Sequence, residues 1–99
     1  MFRVLITDNF EKLSFKILSK EERLQFKNKL PIIKEKGDLI GKPLKPYFLR
    51  EIKFSGKRVY YIVFSKNIVF VSISNKKFQK DEIEKIRREL NELKEKYDF

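Results

Sequence analysis

Three runs of β-branched and aromatic residues, YFLREIKF (47–54), KRVYYIVF (57–64) and NIVFVSIS (67–74), follow one another with only two residues between successive runs. This spacing constrains the fold more than any other feature of the chain. Turns this short join antiparallel neighbours, whereas a parallel pair needs a crossover of roughly a dozen residues. The runs therefore predict an antiparallel meander. Ser55-Gly56 fits a two-residue hairpin loop, which sets Phe54 opposite Lys57, Lys53 opposite Arg58 and Glu51 opposite Tyr60. With the next turn centred on Lys66-Asn67, Arg58 lies across from Asn75. Side chains alternate between faces, so this register gathers Glu51, Lys53, Arg58, Tyr60 and Asn75 on one face, toward one end. Lys57, Lys76 and Lys77 flank that end. Arg50 falls on the opposite face.

The flanking segments read as follows. FRVLIT (2–7) is strand-like. Asp8 with Glu11 forms a capping-box pattern, and Phe10, Leu13, Ile17 and Leu18 then share one helical stripe. Ser19 with Glu22 repeats the box and opens a second helix, with Leu24, Phe26 and Leu30 as its apolar members. Pro31 should limit that helix, because the residue before a proline is pushed out of the α region. The pair predicts an αα-hairpin on one face of a sheet. KGDLIGKPLKP (36–46) holds two of the three glycines and two of the three prolines and reads as a loop. A third capping box, Asp81 with Glu84, opens a last helix whose Ile83, Ile86, Leu90, Leu93 and Tyr97 form a narrow seam. The seam docks on the domain's own sheet or on a partner, and a small chain favours the first. The expected fold is α+β, one domain over 1–99, in the order β-α-α-β-β-β-α.

Composition narrows the chemistry. With no alanine, the core must come from Ile, Leu, Val and Phe. No apolar run nears the roughly 20 residues of a membrane helix, and MFRVLITDNF lacks the apolar stretch of a signal peptide, so the expected location is cytoplasmic. Zero Cys excludes disulfides and thiolate catalysis, and zero Cys with zero His argues against a zinc or haem site; no cofactor is expected. The net charge of +10 is unevenly spread. Residues 1–41 carry +3, residues 42–80 carry +9 with Glu51 as their one acid, and residues 81–99 carry −2. A uniformly Lys-rich surface predicts mixed signs throughout, whereas this asymmetry predicts a face for polyanions.

Without His or Cys the usual general bases and nucleophiles are missing. The glycines, at 37, 41 and 56, form no phosphate-binding loop. What remains is Arg and Lys around phosphate, with Tyr to stack or orient. Arg offers bidentate hydrogen bonds, Lys a point charge that can act as a base when cations crowd it. RNA brings its own nucleophile, the 2′-hydroxyl, so metal-free cleavage needs only alignment and charge stabilisation. Plainer roles stand beside these. Lys53 and Lys57 can guard a strand edge against aggregation, Tyr60 and Tyr61 can be packing residues, and Lys76, Lys77 and Lys80 can solvate a turn.

GKPLK (41–45), LRE (49–51), KRVYY (57–61) and KKFQKDEI (76–83), in this order and spacing, resemble the RelE/ParE superfamily of toxins from toxin–antitoxin systems. The KK-x-Q-K run is most similar to the HigB-like branch, and the likeness spans about residues 2–90. The resemblance implies a ribosome-dependent mRNA endonuclease that needs no metal and is neutralised by an acidic antitoxin, with a homodimer as a further assembly. It implies Arg58, Lys76 and Lys77 as catalytic residues. Arg50, Lys53, Lys57, Tyr60 and Lys45 would be substrate contacts. Members usually carry an Arg and a Tyr near the C-terminal end, or a His in the HigB branch; here Tyr97 alone stands there. Two other functions share the fold class: a ParE-like poison of DNA gyrase and a non-catalytic nucleic-acid binder.

Overall fold

The structure is a computed structural model and describes residues 1–37, 39–45 and 48–97. Asp38, Pro46 and Tyr47, from the predicted loop and the start of the first meander strand, lie outside the described residues. The elements run β1 (Arg3–Ile6), α1 (Asp8–Ile17), α2 (Lys20–Lys36), β2 (Lys42–Pro43), β3 (Leu49–Phe54), β4 (Lys57–Phe64), β5 (Asn67–Asn75), a 3-10 turn (Lys76–Phe78) and α3 (Gln79–Tyr97). The strands form one sheet in the order β1-β5-β4-β3-β2. No helix among the described residues is long and apolar enough to cross a membrane.

The meander β3-β4-β5 is antiparallel. Its first hairpin has the expected register: Phe54 opposite Lys57, Lys53 opposite Arg58, Glu51 opposite Tyr60. Ser55 and Gly56 both adopt left-handed backbone, at φ 50° and 75°, as a tight hairpin turn whose twist matches the strands requires. The second hairpin differs. Its turn is Ser65-Lys66, since Phe64 pairs with Asn67. The register then shifts between Tyr60 and Tyr61, leaving Val71 as an extra residue opposite the step. This β-bulge puts Val71 and Ser72 on one face in succession. Arg58 therefore pairs with Ser74 and not with Asn75, which pairs with Lys57. Strand β1 joins the far side of β5 in parallel, Val4 beside Ile68. The sheet is thus mixed, though mostly antiparallel.

Helices cover both faces. Phe10 and Leu18 of the α1 segment and Phe26 and Ile33 of α2 pack against Val59, Tyr61, Ile68, Phe70 and Ile73. Phe70 sits at the centre of this layer, 5.0 Å from the Phe26 ring at an edge-on 86° and 5.3 Å from Phe10, a favoured geometry for ring pairs. Leu24, predicted to face the core, is 58% exposed. On the opposite face Ile86 is buried, and Ile83, Leu90, Leu93 and Tyr97 pack beside it on Leu49, Tyr60, Ile62, Val69 and Val71. The α3 seam docks on its own sheet.

Local chemistry explains the helix boundaries. Thr7 caps α1, its hydroxyl accepting from Phe10 N–H at 3.1 Å. Ser19 and Glu22 form the expected reciprocal box at the start of α2. Pro31 does not end α2, which continues to Lys36. The proline is exposed, while Ile33 beyond it is fully buried and the Lys34 carbonyl accepts from Phe2 N–H at 2.7 Å. Tertiary anchoring thus outweighs the loss of one helical hydrogen bond. Within the predicted loop, β2 adds two residues to the sheet edge beside Arg50 and Glu51. Gly41 makes this close approach feasible: φ is +75°, and a Cβ there would stand 2.9 Å from the Glu51 carbonyl oxygen.

Candidate functional site

The start of α3 sets the geometry. The predicted cap at Asp81 is displaced, because Asn75 takes that role and its side chain accepts from Phe78 N–H at 3.3 Å. Lys76, Lys77 and Phe78 therefore form a 3-10 turn that runs directly into α3 at Gln79. Both lysines are exposed, and they lie beside the N-terminal end of a helix, where the backbone dipoles add positive potential. Lys77 Nζ sits 5.6 Å over the half-exposed Phe78 ring.

The bulge decides which strand residues meet this turn. Lys53, Arg58 and Ser74 lie in one row across β3, β4 and β5, and Lys76 follows two residues after Ser74. Lys53 is exposed and Arg58 is 8% exposed. Arg58 Nε lies 3.4 Å from Oε1 of the fully buried Glu51, without alignment for a hydrogen bond. Its Nη1 donates to the Lys57 carbonyl at 3.4 Å. Gln79, the first residue of α3, donates its amide to both Glu51 oxygens, at 3.0 and 2.8 Å.

A second polar layer lies alongside. The Tyr60 hydroxyl shares a 2.8 Å hydrogen bond with Ser74 Oγ, and Ser72 Oγ donates to Glu82 of α3. Burial pushes the Tyr60 hydroxyl up to about 12, with Glu51 and Glu82 adding to the rise and Ser74 and Arg58 opposing it. Tyr60 therefore stays neutral at physiological pH. Being fully buried, it supports the floor beneath Arg58 and offers no ring face to a base in solution.

The remaining predicted contacts are dispersed. Arg50 is on the opposite face, as the register implied, and its Nε and Nη2 donate to the Ile40 and Gly41 carbonyls at 2.8 and 3.1 Å. That fork pins the loop to β3. Lys57 also faces away from Arg58, toward α2, 3.6 Å from Glu22. Lys45 is exposed, and its carbonyl accepts from Arg87 Nε of α3 at 2.6 Å. The structure thus brings Lys53, Arg58, Lys76 and Lys77 to one end, with Tyr60 below, and leaves Arg50, Lys57 and Lys45 elsewhere. Gln79, Ser72, Ser74 and Glu82 were missed. Glu51 was visible as the one acid of the basic segment, but its partner was not, because Gln79 sits four residues past the strand and reaches back through a helical turn. Among the described residues no group of carboxylates is arranged to hold a metal ion.

This architecture has a known counterpart. The chain is similar to a chain of the E. coli RelBE toxin–antitoxin complex, at 23% identity and a TM-score of 0.56, covering 76% of this chain and 96% of that one. The fold is RelE-like. The conserved hypothetical protein HP0894 from Helicobacter pylori superposes more loosely, at 14% identity and a TM-score of 0.47 over 78% of this chain and 97% of that one. No protein-family model matches the RelE-like chain, and no curated protein sequence matches it.

Proposed function

We propose that this chain is the toxin of a toxin–antitoxin pair and acts as a metal-free mRNA endonuclease on the ribosome, held inactive by an acidic antitoxin. The observation that carries the reading is the row Lys53-Arg58-Ser74 leading into Lys76-Lys77 at the head of α3, on a RelE-like sheet. In this reading Arg58 binds the scissile phosphate and stabilises the charge that builds there as the RNA 2′-hydroxyl attacks. Lys76 or Lys77 moves the proton, and Lys53 holds the flanking backbone. A second reading, an RNA-binding member that does not cleave, draws support from the burial of Tyr60 and Tyr61, which leaves lysines as the proton-transfer groups beside Arg58.

Arg58→Ala is a poor probe, because it strands the buried Glu51 carboxylate and invites unfolding. Arg58→Lys keeps the charge and loses the fork, and Lys76→Ala/Lys77→Ala changes only exposed side chains. Each variant is induced in a host lacking the antitoxin, with mRNA ends mapped by primer extension and folding checked by circular dichroism. Wild type should arrest growth and create fresh mRNA ends, and each variant should cut roughly a hundredfold more slowly. Intact mRNA with arrested replication would overturn the nuclease reading in favour of gyrase poisoning. Harmless induction of a folded, RNA-binding chain would favour the non-cleaving reading.

A further inference from the structure

Glu51 is the one acid of residues 42–80, and it lies fully buried against the guanidinium that the proposed function uses. A carboxylate beside an arginine ordinarily closes a bidentate fork of two parallel N–H···O bonds. Here the fork does not form. Glu51 Oε1 approaches Arg58 Nε to 3.4 Å, and that buried N–H has no aligned acceptor. Both carboxylate oxygens accept instead from the single Gln79 amide. Glu82 of α3 is directed to Ser72.

We propose that Gln79 is a positioning residue: it draws the Glu51 carboxylate toward α3, prevents it from closing a bidentate pair with Arg58, and so keeps the guanidinium available to a phosphate group of RNA. The inference rests on the reading of Arg58 as a phosphate contact. Its logic is competition. Carboxylate and phosphate seek the same donor fork, and a fully engaged buried carboxylate would be hard to displace in a low-dielectric setting. An amide restrains it without adding charge. Glu51 still serves as the counter-ion that makes a buried arginine tolerable, but it does so with one edge.

The test measures binding of a fluorescein-labelled, mixed-sequence RNA oligonucleotide to the full chain by fluorescence anisotropy across a salt series. Gln79→Met keeps the length of the side chain and removes the donor. Affinity should fall about tenfold, the loss typical of a hydrogen bond to a charged group, and the salt slope should fall by about one. Adding Glu51→Gln should restore binding to within about twofold of Glu51→Gln alone, since no carboxylate is then left to compete. Wild-type affinity in Gln79→Met, or a loss that Glu51→Gln does not rescue, would overturn the proposal. Should Gln79→Met fail to fold, Gln79→Asn keeps the amide but shortens its reach, and gives the same readings at smaller size. Glu51→Gln/Arg58→Gln removes both charges of the pair and separates the two ideas. Wild-type binding there sinks the Arg58 reading itself. Weak binding there, with normal binding by Gln79→Met, sinks only the role of Gln79.

Discussion

Glu22 shows how one carboxylate can serve two structures. It closes the capping box by accepting from Ser19 N–H at 2.9 Å, and it stands 3.6 Å from Lys57 Nζ at the end of β4. The Ser19 backbone hydrogen bond, above all, holds its carboxyl below the ordinary 4.5, with the Lys57 charge helping and burial opposing. A carboxyl depressed in the folded state stabilises it above the unfolded pKa and loses that contribution as pH falls through the folded pKa. Gln at this position still accepts from Ser19 but carries no charge. Wild type should exceed Glu22→Gln in denaturant stability at pH 7 by about 0.3–1 kcal/mol, the usual size of a first-turn charge effect. The gap should close on acidification below 4.5. A gap that persists unchanged in acid would show that packing, and not charge, is at work.

At the scale of elements, the meander was legible and its fine register was not. Alternation and a two-residue turn suffice to pair β3 with β4, so Lys53 and Arg58 were placed correctly across from one another. Pairing β4 with β5 needed knowledge of the Val71 bulge. A bulge depends on how two sheet faces fill, and no local residue pattern announces it. Its effect on the site is large: with the turn at Ser65-Lys66 and no bulge Ile73 would face Arg58, whereas the extra residue sets Ser74 there and leaves Asn75 at the strand end to cap. The helix start was misplaced for a related reason. Asp81-Glu84 is a good capping box, but Asn75 lies where the strand ends and gains its cap from that geometry. Parallel pairing of β1 with β5 was likewise out of reach, because it joins segments more than sixty residues apart. The two caps make opposing predictions. Asn75→Ala should cost about 1 kcal/mol in a urea melt, whereas Asp81→Ala, a first-turn charge only, should cost about 0.5 kcal/mol or less. The reverse order would restore Asp81 as the cap.

For the molecule as a whole, the sheet converts a charge bias along the chain into a charge bias in space. The β3-β4 hairpin end and the head of α3 converge, so Lys53, Arg58, Lys76 and Lys77 share one end even though they come from two strands and a turn. The mixed-charge residues 81–97 run away from that end along α3, a helix of 19 residues and therefore roughly 28 Å long. That length is several times the Debye length of about 8 Å at physiological salt, so charges at the far end of α3 are screened from a short ligand at its head. A short RNA oligonucleotide bound at the basic end should lose affinity steeply with salt, and each of Lys53→Gln, Lys76→Gln and Lys77→Gln should lower the log–log slope by about one. Lys94→Gln, near the last turn of α3, removes the same charge and should leave the slope unchanged. If instead all four variants lower the slope equally, the ligand responds to net charge alone, and the convergence of the strands on one basic end has no part in recognition.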